Sequence, residues 1–139
     1  MNVEEAFEKR LLRQATPSKA KAQKSLEAAA RFLEQSKKSL GAGAYDAALL
    51  TAYSSMFHAA RAVLFSDGVV EKSHYAVCIY LSERHSDLGK EFVNGFNLYR
   101  LLRHSAAYDL DTSIGRDEAE KAFKFAENFL AKVKAYLNQ

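Results

Sequence analysis

The chain has 139 residues, a formal net charge of +3, 48% hydrophobic residues, one proline and no tryptophan. That length suits a single domain, 1–139, and the apolar share supports an ordered core without disulfide or metal staples, which excludes a disordered chain. The charge is uneven: nine Lys/Arg against five Glu put +4 on residues 1–41, an excess that permits nucleic-acid contact without requiring it.

Residues 1–17 read as an N-terminal arm or a short helix. Glu4, Glu5 and Glu8 there are unlike the basic-then-apolar layout of a secretory signal. Pro17-Ser18 then opens a helix running to about Leu40, with Ala22, Leu26, Ala29, Leu33 and Leu40 at helical spacing. Gly41-Ala42-Gly43 breaks it. A second helix, about Tyr45 to Ser66, is dense in small residues (Ala47, Ala48, Ala52, Ser55, Ala59, Ala60 and Ala62), which suits the central helix of a bundle. Asp67-Gly68 ends it with a glycine available for a left-handed cap.

Lys72-Ser73 starts a shorter helix over about His74 to Glu83. A fourth spans about Gly89 to Tyr108, with Phe92, Phe96, Tyr99, Leu102 and Ala106 as its apolar stripe. The fifth, about Asp117 to Leu137, carries Ala119, Ala122, Ala126, Phe129, Val133 and Leu137. No β-branched period-2 run carries hairpin signals. The expected fold is all-α, an antiparallel four- to five-helix bundle.

Several functions are set aside at this level. No apolar run approaches the roughly 18 residues of a membrane span, so the expectation is a cytoplasmic protein without membrane association. Cys78 is the only cysteine; it cannot form an internal disulfide or a cysteine-based zinc site, and its apolar context predicts a buried small hydrophobe. Gly41-x-Gly43 joins two helices and lacks the third glycine of a dinucleotide fingerprint. Walker, HExxH and GxSxG motifs are missing. Asp109-x-Asp111 reads as a solvated loop, and His74 and His85 read as surface residues near helix ends. No cofactor and no metal site is expected.

The most informative stretch is Leu98 to Asp109. At 100° per residue, Arg100, Arg103, His104 and Ala107 gather on one face, with the phenol of Tyr108 nearby. Two guanidiniums and an imidazole suit a phosphate or a nucleotide base. His58 and Arg61, one turn apart, would form a second wall of the same pocket or else a polar seam between helices.

Three segments carry a family resemblance: Ala52-Tyr53-Ser54-Ser55-Met56-Phe57-His58-Ala59-Ala60-Arg61-Ala62-Val63-Leu64, then Lys72-Ser73-His74, then Leu98 to Asp109. Together with the closing Ala126-Glu127-Asn128-Phe129 helix they resemble the HEPN (higher eukaryotes and prokaryotes nucleotide-binding) superfamily, over about Ser18 to Leu137. The resemblance implies a homodimer of helical bundles with a basic pocket for nucleotide or RNA, often encoded beside a minimal nucleotidyltransferase partner. Many such proteins are metal-independent, toxin-like ribonucleases with an R-x(4–6)-H motif, in which histidine moves the proton of the RNA 2′-OH and arginine stabilises the phosphate.

Here Arg103 matches the motif arginine, but Tyr108 stands where the shortest form needs histidine. A phenol with a pKa near 10 is a poor base at neutral pH. The resemblance therefore implies a non-catalytic module that holds phosphate with Arg100, Arg103, His104 and Tyr108. The alternatives are a ribonuclease using the displaced His104 as catalytic base, and a purely structural interaction bundle.

Overall fold

The computed structural model describes residues 1–138, arranged as six α-helices and one small sheet. Helix α1 (Val3–Glu8) starts where the Asn2 side chain accepts the Glu5 N–H at 2.8 Å. The chain then turns through Arg10, at a positive φ of 59°, into strand β1 (Leu12–Gln14). Helix α2 (Lys19–Gly41) follows, capped by Ser18 Oγ, which accepts the Lys21 N–H at 3.1 Å.

Helix α3 (Tyr45–Asp67) is the axis of the molecule, with α2 and α6 (Arg116–Leu137) packed along it and α5 (Lys90–Tyr108) on another side. Its small side chains explain the close approach. Ser25 Oγ of α2 donates to the His58 carbonyl at 2.6 Å, and Ser36 Oγ donates to the Ala48 carbonyl at 2.7 Å. Ala48, Ala52, Ala59, Ala60 and Ala62 are fully enclosed. On α6, Ala119, Ala122, Ala126, Phe129 and Val133 form the facing buried stripe.

Gly68 ends α3 at φ 77°, and a Cβ there would come within 2.6 Å of the Ala15 carbonyl oxygen. This close turn feeds strand β2 (Val69–Glu71), which pairs antiparallel with β1 so that Leu12 lies opposite Glu71. Ser73 Oγ accepts the Ala76 N–H to open α4 (His74–Arg84), and a 3-10 turn at Ser86–Leu88 leads to α5.

The helix positions follow the sequence expectation, and the N-terminal stretch is a short helix plus a strand. The sheet was not expected. Strands of three residues are too short for period-2 alternation to register. The surface reading of His74 and His85 is corrected, because both rings are partly buried between helices. His85 Nε2 lies 2.5 Å from Asp67 Oδ2, and its Nδ1 lies 2.6 Å from the Tyr136 hydroxyl. Cys78 is buried, as its context implied.

An aromatic ladder links the core to the α3–α5 seam. Phe129 stacks on Phe96 at 5.6 Å between centroids, and Phe96 stacks on Tyr53 at 5.7 Å. The seam beyond Tyr53 is where the polar chemistry begins.

Candidate functional site

Three segments meet at this seam. Helix α3 supplies Tyr53, Phe57 and Arg61, spaced four residues apart and hence on one face. The β2–α4 junction supplies His74, the first helical residue after the Ser73 cap. Helix α5 supplies Arg100 and Arg103.

His74 is the hub. Its ring stacks on Phe57 with centroids 3.9 Å apart and planes 11° from parallel, while Nδ1 lies 2.9 Å from the Tyr53 hydroxyl. Burial lowers its pKa below the usual histidine value, and the positive charges of Arg103, Arg100, Arg61 and His58 lower it further. The imidazole is therefore neutral at physiological pH. Burial also drives the Tyr53 phenol far above its ordinary value, with Cys78 adding to the rise and Arg100 and Arg103 opposing it. The phenol therefore keeps its proton, and its hydroxyl and the neutral imidazole share one hydrogen bond.

The two arginines lie on aromatic faces. The Arg103 guanidinium sits 5.9 Å from the Tyr53 ring centroid, and Arg100 sits 5.0 Å from that of Tyr75. Arg100 Nε donates to Asn97 Oδ1 at 3.0 Å. Both side chains are partly buried. Among the described residues, neither has a carboxylate within salt-bridge distance; the ion pairs are Arg61–Glu71, His85–Asp67 and Lys124–Glu127. Two partly desolvated cations with no carboxylate beside them could hold an anion, with up to five N–H donors on each guanidinium.

The residues singled out from the sequence divide into two groups. Arg100 and Arg103 converge on His74 and Tyr53. His104 and Tyr108 lie outside that convergence, exposed on the outer flank of α5 with ring centroids 4.8 Å apart. The helical wheel explains the split. Arg103 is seven residues from the buried Phe96 and so about 20° from it, whereas His104 lies about 80° from it on the other side.

His58 and Arg61 form a seam near the site. His58 stacks on Phe32 at 5.3 Å with planes 4° apart, and its pKa is lowered by burial, then by Arg61 and Arg31. Arg61 is held by Glu71 and lies between the Phe57 and Phe65 rings, so its charge is already matched. His74 was missed as a site residue because its partner Tyr53 is 21 residues upstream; the Lys72-Ser73-His74 segment carried the only signal.

Beneath Arg100, burial raises the Cys78 thiol to about 11, with the nearby guanidinium opposing the shift, so Cys78 is no nucleophile at neutral pH. Among the described residues, no cluster of three or more His, Cys, Asp or Glu is placed to hold a metal ion.

The sequence profile of the HEPN domain matches residues 22–136, which includes every residue of this site. The chain belongs to the HEPN domain family. Two relatives of this HEPN chain agree. A "UPF0332 protein" of Archaeoglobus fulgidus is 32% identical over 113 residues, covering 80% of this chain and 90% of its own. A protein of Methanocaldococcus jannaschii named "Putative toxin MJ0142" is 30% identical over 122 residues, covering 86% and 83%.

Proposed function

We propose that this HEPN chain is a non-catalytic module that binds the phosphate of RNA or of a nucleotide, acting as a homodimer beside a minimal nucleotidyltransferase. The observation that carries this reading is the Arg100–Arg103 pair: partly buried, laid on tyrosine rings and unmatched by any carboxylate among the described residues. His74 adds an uncharged imidazole beside them. The lack of catalysis is supported by Tyr108, a phenol in the motif's histidine position.

Self-association is supported by the outer face of α5. Leu98 and Leu101 are 63% and 52% exposed, and Tyr108 is 64% exposed. Such a run of bare apolar side chains suits a covered surface. The nucleotidyltransferase partner rests on the family alone. No helix among the described residues is long and apolar enough to cross a membrane, and cytoplasmic placement is part of the proposal.

The test is filter binding of labelled single-stranded RNA in EDTA across a salt series. Binding should weaken linearly in log–log form as salt rises, and Arg103→Ala should flatten the slope by about 0.7. Full-strength binding by Arg103→Ala, with an unchanged slope, would remove the site.

A second reading, a metal-independent ribonuclease with His104 as the base, is favoured by the name of the M. jannaschii relative and by the exposed His104 imidazole. Cleavage in EDTA that disappears in His104→Ala would replace the first reading by this one.

A further inference from the structure

Next to the arginine pair, Met1 and helices α4 and α5 line a partly open pocket of about 230 Å³ that the phosphate site does not use. Tyr75, Ile79, Glu83, Asn94 and Asn97 are among its walls. The pocket is smaller than the roughly 300–1,000 Å³ that enclose a drug-sized ligand, so it suits one planar ring system rather than a whole nucleotide.

Its chemistry differs from that of the arginine pair. Glu83 brings a carboxylate, which repels phosphate. The Val3 N–H, donating to Glu83 Oε2 at 2.6 Å, fixes that carboxylate, and three or so of its four lone-pair positions remain to accept further bonds. Asn97 Oδ1 is engaged by Arg100 Nε, which leaves the Asn97 NH2 group as a donor. Tyr75, 42% exposed, lines the pocket and also carries the Arg100 guanidinium, so one ring joins the pocket to the phosphate-binding cations.

We propose that this pocket takes a guanine base whose adjoining phosphate is held by Arg100 and Arg103. The inference rests on the phosphate-binding reading and extends it to base choice. Guanine presents N1–H and N2–H2 side by side, two donors for one carboxylate, with O6 next to them to accept from an amide NH2. Adenine and cytosine offer a single amino group on that edge, and uracil offers one N3–H between two carbonyl oxygens. Bases read on their Watson–Crick edge and packed on an aromatic ring are the usual means of single-strand recognition.

The experiment compares a short oligouridylate with the same oligomer carrying one guanosine, on wild type, Glu83→Gln and Tyr75→Ala. Glu83→Gln keeps an oxygen to accept the Val3 N–H, so the fold is spared. Wild type should bind the guanosine oligomer about tenfold tighter, and Glu83→Gln should erase that ratio while retaining salt-sensitive binding of both oligomers. Tyr75→Ala should reduce the ratio.

Equal affinity for the two oligomers, or a guanosine preference that survives Glu83→Gln, would overturn the pocket assignment and leave phosphate binding standing. If neither oligomer binds wild type at low salt, the phosphate reading fails and takes this one with it. Competition by guanosine monophosphate separates the sources. Displacement as strong as by the oligomer assigns the base to a free nucleotide, and much weaker displacement assigns it to RNA.

Discussion

Two partly buried histidines stand at different corners of this bundle, and their surroundings are opposite. His85 lies between a carboxylate and a phenol: Asp67 Oδ2 at 2.5 Å from Nε2, and the Tyr136 hydroxyl at 2.6 Å from Nδ1. Tyr80 donates to the same Asp67 oxygen at 2.7 Å, so the ends of α3 and α4 are tied together and joined to α6. His74 has one hydrogen-bonding partner, Tyr53, and is otherwise surrounded by aromatic faces and by the charges of Arg103, Arg100, Arg61 and His58. The first corner satisfies its own hydrogen-bonding groups. The second carries positive charge that the described residues leave unanswered, and a protein rarely keeps that arrangement for stability alone. The difference separates a structural clip from the arginine pair to which the proposed phosphate binding is assigned.

The contrast can be broken from either side. The largest effect belongs to the clip. Asp67→Ala strips the acceptor from both Tyr80 and His85 and should cost about 1–3 kcal/mol of stability, chiefly for the part-buried Tyr80 hydroxyl left unsatisfied. Urea denaturation reads this, and RNA affinity of the folded fraction should not change.

On the other side, Glu71→Gln releases Arg61 from its counter-ion without removing bulk. It should raise RNA affinity severalfold at low salt and steepen the salt slope by up to about 0.7 for the one added cation. An unchanged slope would place Arg61 outside the anion's reach.

The smallest effect is on pH dependence. His74 and His58 both have folded-state pKa values lowered from 6.5, chiefly by burial. Below 6.5 the unfolded chain binds protons that the folded chain refuses. Their contribution to stability is thus complete above 6.5 and is lost as pH falls through the lowered folded values. His74→Gln should flatten that acid-side decline in a urea-melt series. An equally steep decline in the variant would mean that the ring is not buried in its neutral form. RNA binding has the opposite sign: protonation of His74 adds a charge for phosphate, so affinity should rise as pH falls through the same window.

How much of this was legible in the sequence depends on distance along the chain. Helices α2, α5 and α6 announced themselves because their apolar residues recur every three or four positions, and the Pro17-Ser18 and Asp67-Gly68 boundaries are local chemistry. Arg100 and Arg103 were visible for the same reason. Spacing alone grouped Arg103 with His104, and the wheel separates them only once the packing of Phe96 on Tyr53 shows which way α5 faces. Nor could it show that Glu71 neutralises Arg61, ten residues away across the Gly68 turn. His74 was hidden most completely. Its role depends on Tyr53 and Phe57 from one helix and on two arginines from another, and only the folded chain brings them together.

The most direct test of the central claim is side-chain NMR during titration with single-stranded RNA, following the Arg Nε–H and His ring resonances. Arg100, Arg103 and His74 should shift together and saturate at one affinity, while His85 stays where it is. Shifts confined to the α2 lysine and arginine side chains, with Arg100, Arg103 and His74 unmoved, would contradict the account.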